Sequence, residues 1–497
     1  MSNAGLPDRL YRAASVRELD RIAIEDLNIP GATLMARAGQ AAFELLLRSW
    51  PRTKTLAVAC GGGNNAGDGY VIARLAREKT MEVRVAEVGD PARLRGDARQ
   101  ARLALEAAGV QPAPFSPRAL DGAEVIVDAV LGTGLDRKVE GRWASAVASL
   151  NAAPAPILSV DIPSGLNADT GRVMGEAVRA AATVSFIGLK QGLFTGDGPE
   201  HCGRVHFHDL AVPESIFQKR PPDARLDRLE HFYGTLGARP RNAHKGRFGH
   251  LLVIGGDSGY LGAARLAAEA ALRTGTGLVS VASRAAHAHA INAGRPEIMA
   301  HGVETLSDLK TLIERASVIA AGPGLGQSSW AQRMLESALE AEKPLVIDAD
   351  GLNLLAQKKD ARLSPGSVIT PHPGEAGRLL NSSTAALEAD RFAALSSLVE
   401  CYGCACVLKG AGTLTAAPAG EVHVCADGNP GMASGGMGDV LTGIIAALMA
   451  QGLGAETAAR AGVCLHARAG DLAAGRLERG TLASDLMPHL RVLVNGL

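Results

Sequence analysis

Short runs that are apolar throughout recur along the first half of the chain, at Leu56 to Ala59, Val83 to Val88, Val125 to Val127, Ile157 to Val160 and Thr183 to Ile187. Between them lie stretches with helical spacing, such as Val71 to Lys79, so the pattern predicts strands alternating with helices. Strands without an in–out alternation are buried on both faces, which makes the expected sheet parallel and helix-covered. Between Pro213 and Arg225 the regularity lapses into Pro221-Pro222 flanked by charges, the signature of a linker, placed at residues 216–230. A second series follows at Leu251 to Ile254, Val279 to Ala282, Val318 to Ala321, Leu345 to Ile347, Val368 to Thr370 and Cys406 to Leu408, with an apolar helix at Val440 to Gln451. The expected architecture is α/β, in two tandem three-layer domains at residues 1–215 and 231–497, with no internal repeat relating them. In open parallel sheets ligands sit beyond the carboxyl ends of the strands.

A chain of 497 residues exceeds what one core organises, in keeping with two domains. Lys+Arg and Asp+Glu are equal at 51 each, so no global field draws the protein to nucleic acid or to an acidic membrane, and any anion site must be local. Aromatic residues make up 3%, which argues against base-stacking platforms. Trp143 to Val160 is long and uncharged but carries Asn and Pro; neither a membrane nor a nucleic acid is an expected partner. Seven cysteines, an odd number, with no secretory signal read ahead of them, suggest reduced thiols and a cytoplasmic protein. Cys401, Cys404 and Cys406 raise the question of a metal, but no second pair has ligand spacing and the cluster runs into an apolar segment.

Three strands of the first half end in polar, glycine-containing turns. The first is Gly61-Gly62-Gly63-Asn64-Asn65-Ala66-Gly67-Asp68-Gly69, leading into a helix. Glycines let backbone approach a ligand and helix-start amides suit phosphate, although neither a P-loop nor a dinucleotide fingerprint is present. The plain alternative is a strand–helix turn with Asp68 as a cap. The second turn is Asp128 to Gly134 and the third Asp161 to Gly165, each with a carboxylate at a strand end. With Leu34 to Gly39 upstream, these motifs resemble the NAD(P)H-hydrate epimerase domain family over about residues 10–215, and imply a Rossmann-like domain. The resemblance implies a K⁺ ion held by Asn65, Asp128 and Ser164. It implies cofactor contacts from Asn64, Asn65, Ala66, Gly67 and Asp68, from Gly132, Thr133, Gly134, Leu135, Asp136, Arg137 and Lys138, and from Asp161. Asp161 is the candidate acid/base for moving a ring hydroxyl between faces. The family usually has Gly where this chain has Ala66, and a methyl there would be strained if φ were positive.

The second half carries Asn429-Pro430-Gly431-Met432-Ala433-Ser434-Gly435-Gly436-Met437-Gly438-Asp439 ahead of its apolar helix. Such a loop offers amides to a developing anion, and Asp439 is placed to accept a proton from a hydroxyl attacking phosphorus; the plain alternative is a helix cap. This helix start resembles the ribokinase-like superfamily. With His244-Lys245-Gly246, Gly255-Gly256, Gly262-Ala263-Ala264, Gly322 to Gly326, Asp348 to Asn353, Thr370 to Glu375 and Lys409 to Thr413, residues 240–495 resemble the ADP/ATP-dependent NAD(P)H-hydrate dehydratases. By that resemblance Lys409, Gly410, Ala411, Gly412, Thr413 and Gly438 hold the nucleotide, and Ala263, Gly324, His372 and Asp439 face the hydrated cofactor. Taken singly, His372 reads as a turn histidine, Lys409 as a solvated strand end, and Asp348 and Asp350 as braces rather than catalysts.

The implied activity is repair of NADH hydrate and NADPH hydrate: epimerisation of the R and S forms, then dehydration of S with Mg²⁺ and ADP or ATP, in a homo-oligomer. One rival is a sugar or vitamin-precursor kinase with an accessory nucleotide-binding domain. The other is a scaffold, since domains like the first half occur in RNA-associated proteins; the retained Asp128 and Asp161 and the lack of a basic patch count against it.

Overall fold

The computed structural model describes residues 5–235, 237–358 and 361–496. It divides into two compact units, one ending at Arg225 and the other beginning at Leu226.

In the first unit, seven strands form one parallel sheet: β1 Thr55–Cys60, β2 Glu82–Glu87, β3 Ala113–Pro114, β4 Val125–Ala129, β5 Ile157–Val160, β6 Ala182–Phe186 and β7 Arg204–His208. Their spatial order is β3-β2-β1-β4-β5-β6-β7, the Rossmann-like order extended by one strand, so the chain reverses direction across the sheet between β1 and β4. Side chains alternate between two cores, as the pleat requires. Leu56, Val58, Val125 and Val127 pack with α1 Ala13–Arg21, α2 Gly31–Ser49, α3 Asn64–Glu78 and α4 Gly96–Ala107, whereas Ala57, Ala59 and Ile126 pack with α5 Arg142–Ala152. The three layers follow from runs that are apolar on both faces.

The stretch read as a linker at 216–230 carries a helix at Ser215–Lys219, a strand at Ala224–Asp227 and a helical turn at Leu229–Phe232. Asp223 fastens it, accepting hydrogen bonds from the Arg12 N–H at 2.9 Å and from Arg220 at 2.8 Å. Elements this short leave no periodicity to read.

Among the described residues from 250 onward the second unit has nine strands: β8 His250–Ile254, β9 Leu278–Ser283, β10 Met299–Gly302, β11 Val318–Ala321, β12 Leu345–Ile347, β13 Val368–Ile369, β14 Ala405–Leu408, β15 Thr413–Ala416 and β16 His423–Cys425. In the order β10-β9-β8-β11-β12-β13-β14 they are parallel, and β15 and β16 continue the sheet as antiparallel strands. Leu251, Val253, Val279 and Val281 share a core with α6 Leu261–Thr274, the helix Met437–Ala450 and the helix Ala455–Ala474. The intervening Leu252, Ile254 and Ile319 are also buried, and the helices Leu306–Arg315, Ser329–Glu340 and Arg391–Tyr402 contact the strands as well. Met437–Ala450, here α7, is buried along almost its whole length because it is enclosed by neighbouring helices. At Gly443 a Cβ would lie 2.1 Å from the Ala267 carbonyl oxygen, so only glycine lets α7 approach α6 this closely.

Candidate active sites

In the first unit the three glycine-containing turns meet at the carboxyl ends of β1, β4 and β5. Gly61 sits directly on the Val130 carbonyl, where a Cβ would be 1.8 Å from the oxygen. Helix α3 begins at Asn64, so Asn64, Asn65, Ala66, Gly67 and Asp68 are its first turns rather than a loop. Ala66 is fully buried inside that helix and is not among the residues with positive φ; its methyl brings no backbone strain.

Asp128, at the end of β4, is completely buried. It accepts hydrogen bonds from Ser164 Oγ at 2.5 Å, Ser159 Oγ at 2.8 Å, the Ser164 N–H at 2.9 Å and the Val130 N–H at 3.3 Å. All of these donors are neutral. Burial therefore pushes its carboxyl up, although the Ser164 and Ser159 bonds oppose that. Nearby, Asn65 donates from Nδ2 to the Leu131 carbonyl at 3.2 Å, while its Oδ1 is buried without a hydrogen-bond partner. A buried acceptor without a donor beside a carboxylate without a counter-charge is a donor set suited to a monovalent cation.

Asp161 follows β5 with φ +69°, an uncommon conformation away from glycine that is often found at functional sites. Its N–H donates to the Val184 carbonyl at 2.7 Å. Its carboxylate accepts from Lys190 Nζ and, at 3.3 Å, from the Phe186 N–H. Lys190 is wholly buried and also donates to Ser185 Oγ and the Phe186 carbonyl; pairing of Leu189–Lys190 with Arg9–Tyr11 fixes its backbone. Asp161 and Lys190 line a cavity of about 620 Å³ together with Asn64, Asn65, Asp68, Gly132 to Arg137 and Asp20. Lys138 does not line it and pairs instead with Glu140 at 3.3 Å.

Asp20, on α1, and Lys190 escaped the sequence reading. Burial pushes the Asp20 carboxyl up to about 6, with Lys190 opposing and Asp161 adding to the rise. Asp68 is pushed well up by burial, then by Asp161 and Asp20. Asp20, Asp68 and Asp161 thus act on one another beside the single ammonium of Lys190 in the cavity lining.

In the second unit, Gly436, with φ +91°, opens α7, which places Gly438 and Asp439 in its first turn. Upstream, Asn429 accepts from the Gly431 N–H at 3.0 Å and donates to Asp471 at 2.9 Å, bracing the loop. Burial pushes the Asp439 carboxyl up to about 7; Asp348 adds to the rise, Lys409 opposes it, and Asp350 and Glu375 add further.

Lys409, at the end of β14, turns inward instead of into solvent. Its Nζ is 2.7 Å from Asp348 and 3.7 Å from Glu375. Burial would raise the Asp348 carboxyl, but Lys409 and the 2.7 Å hydrogen bond from Thr442 hold it below the usual range. A Cβ on Gly438 would sit 3.3 Å from Lys409 Nζ and 3.4 Å from Asp348 Oδ2, so the ion pair lies directly beneath the start of α7. Asp348, read from sequence as a brace, is the partner that fixes Lys409.

His372 caps the short helix Pro373–Leu379, its Nδ1 accepting from the Gly374 N–H at 3.0 Å while Glu375 accepts from the His372 N–H at 2.8 Å. Burial and then Lys409 and Arg378 push its pKa down, which leaves Nδ1 free to accept. Gly324, with φ +57°, has the Ala263 methyl 3.1 Å from where its own Cβ would be, so these two are neighbours. Gly410, Ala411 and Gly412 form the turn from β14 to β15, which starts at Thr413. Of the three clustered cysteines, Cys404 and Cys406 are buried and Cys401 is exposed. Among the described residues no group of His, Cys, Asp or Glu is arranged to hold a metal ion, and no helix is long and apolar enough to cross a membrane.

Residues 251–491 match the family model for NAD(P)H-hydrate dehydratase, and residues 31–192 the one for the YjeF-related protein N-terminus. The chain is 48% identical to the bifunctional NAD(P)H-hydrate repair enzyme of Coxiella burnetii, over 98% of this chain and 99% of that one. It is 42% identical to the enzyme of that name from Escherichia coli, over 99% of this chain and 95% of that one. The crystal structure of the ADP/ATP-dependent NAD(P)H-hydrate dehydratase from Bacillus subtilis, co-crystallized with ATP/Mg²⁺, aligns with a TM-score of 0.50 at 28% identity, covering 55% of this chain and 98% of its own. A ribokinase-like superfamily protein from Enterococcus faecalis aligns with a TM-score of 0.50 at 32% identity, covering 53% and 94%. The second unit thus has the ribokinase-like fold that its motifs imply.

Proposed function

This chain belongs to the family of bifunctional NAD(P)H-hydrate repair enzymes, and from that premise we propose that its first unit interconverts the R and S hydrates of NADH and NADPH while its second dehydrates the S form at the expense of ADP or ATP. The observation that carries the reading is Asp439, a carboxylate pushed up to about 7 in the first turn of a glycine-started helix. A group with that affinity for protons is well matched to general-base work near neutral pH.

Hydration leaves a hydroxyl on a saturated ring carbon, and hydroxide is a poor leaving group. Asp439 takes the hydroxyl proton as the oxygen bonds to the terminal phosphorus, and the phosphoanhydride bond breaks to release AMP from ADP, or ADP from ATP. The ring nitrogen's lone pair then expels phosphate, and loss of a proton from the adjacent carbon restores the dihydropyridine. The turn from Lys409 to Thr413 and Gly438 hold the nucleotide, while Ala263, Gly324 and His372 face the hydrate. Asp348, Asp350, Glu375 and Asp439 outnumber the ammonium of Lys409, and that acidic surplus favours a Mg²⁺ carried in on the phosphates. Bound there, Mg²⁺ supplies neutralisation of phosphate charge.

In the first unit, Asp161 moves the proton that lets the hydroxyl change face, and Lys190 holds its carboxylate in position. Asn65, Asp128 and Ser164 hold K⁺, which supplies the counter-charge that Asp128 lacks. A single assay tests both units: both hydrate epimers are incubated with ADP and Mg²⁺ while reduced-nicotinamide absorbance and inorganic phosphate are followed. Complete recovery with stoichiometric phosphate is expected. A stable phosphorylated product would sink the dehydratase reading in favour of a kinase, and recovery stopping at the initial S fraction would sink the epimerase reading.

A further inference from the structure

We infer that Arg391 is a positioning residue for the nucleotide, a buried clamp that turns the carbonyls of the β14–β15 loop inward so that the loop can offer backbone donors outward. The inference rests on the proposed role of residues 409–413 as the nucleotide loop.

Arg391 is 2% exposed. Its Nη2 lies 3.3 Å from the carbonyl oxygens of Leu408 and Lys409 and 3.4 Å from that of Gly412. Its Nη1 lies 3.4 Å from the Glu388 carboxylate. It is also the first residue of the helix Arg391–Tyr402, the end at which the helix dipole disfavours a cation. A guanidinium that is buried and placed against the dipole is costly unless its donors are satisfied. The three carbonyls converge on Nη2 and Glu388 lies against Nη1, whereas Nε is buried without a hydrogen-bond partner; the three carbonyls together outline the loop.

The consequence for a ligand follows from peptide geometry. Across a trans peptide the C=O and N–H point in opposite directions. With the Lys409 carbonyl directed at the guanidinium, the Gly410 N–H is directed away from it, on the exposed side of the turn. Gly410 has φ +141°, and a Cβ there would lie 2.4 Å from Arg391 Nη1, so the backbone rests on the guanidinium only because residue 410 has no side chain. The charge of Lys409 is committed to Asp348. What this geometry turns toward a nucleoside di- or triphosphate is the Gly410 N–H, and the direction of that N–H is set by Arg391.

The test measures ADP and ATP binding to the full chain by calorimetry, with steady-state kinetics alongside, for Arg391→Met, Arg391→Lys and Gly410→Ala. Weakening of nucleotide binding by roughly tenfold or more is expected for Arg391→Met, consistent with the loss of charge-assisted hydrogen bonds. KM for the nucleotide should rise in step, while kcat at saturation and KM for the hydrate stay within about twofold, since the clamp does not touch the reacting atoms. Arg391→Lys should fall between, because an ammonium keeps the charge but not the planar reach. Gly410→Ala, which leaves the arginine in place and crowds it, should reproduce the rise in KM even where Arg391→Met fails to fold. Folded variants that bind nucleotide as the wild type does, or that lose kcat with KM unchanged, overturn the clamp. A wild-type chain that binds nucleotide but does not dehydrate the hydrate sinks the proposed reaction and leaves the clamp standing; one that binds neither nucleotide overturns both.

Discussion

Each unit sets an aspartate of interest near a lysine that turns inward, and the two resolve the combination differently. In the first, Lys190 bonds Asp161 itself. In the second, Lys409 bonds Asp348, a neighbour of the proposed base, and Asp439 keeps its high affinity for protons. Residue types alone therefore do not decide a carboxylate's chemistry; which oxygen the ammonium reaches does. The first arrangement fixes a carboxylate in place, and the second leaves one hungry for a proton.

The largest effect that would break this contrast comes from removing the base. Asp439→Asn should lower ADP-dependent dehydration by ~10²–10⁴-fold, the usual span for losing general-base catalysis, with epimerisation unaltered when followed by chromatography of the two hydrates. Asp161→Asn should do the converse, slowing epimerisation by at least ~10²-fold while leaving turnover of the pure S hydrate intact. Equal loss of both activities in either variant would mean that the two sites do not work separately.

The pH dependence sharpens the comparison. Asp439 must be ionised to accept a proton, so dehydration should rise with pH through about 7. Lys409→Met removes a cation that opposes the rise and should move that limb to higher pH by about one unit or more. The same variant leaves Asp348 buried and unpaired, so unfolding should become easier by ~3–5 kcal/mol. Asp348→Asn removes a like charge and frees Lys409 for Asp439, moving the limb to lower pH. Shifts of the same sign in the two variants would contradict the arrangement. The smallest effect expected is for Ala66→Gly: in the first turn of α3 it should cost at most about 1 kcal/mol of stability with little change in epimerisation.

The strands at the centres of both sheets were legible because their runs are apolar on both faces, as in Leu56 to Ala59 and Leu251 to Ile254. Ala113–Pro114, Arg204–His208 and Met299–Gly302 were not, since they lie at sheet edges and none of them carries a run buried on both faces. The glycine turns lie at the strand ends where the sequence put the candidate sites, and the start of α7 was read to within a few residues. What the sequence could not show was partnership across distance. Lys190 reaches Asp161 only because the chain returns to the ends of β5 and β6, and Lys409 appeared to be an ordinary lysine at a strand end until the ends of β12 and β14 brought it to Asp348. Arg391 gave no signal, because a basic residue opening a helix looks like a surface residue.

The carboxylate of Asp348 divides its two oxygens, one to Lys409 and one to Thr442 on α7. It thus rivets the tip of a strand to the helix that carries Asp439, and neither can drift without tugging on the other. Catalytic competence and local rigidity should consequently vanish together on warming, with amide hydrogens near the beginning of α7 surrendering their protection at the temperature where turnover collapses.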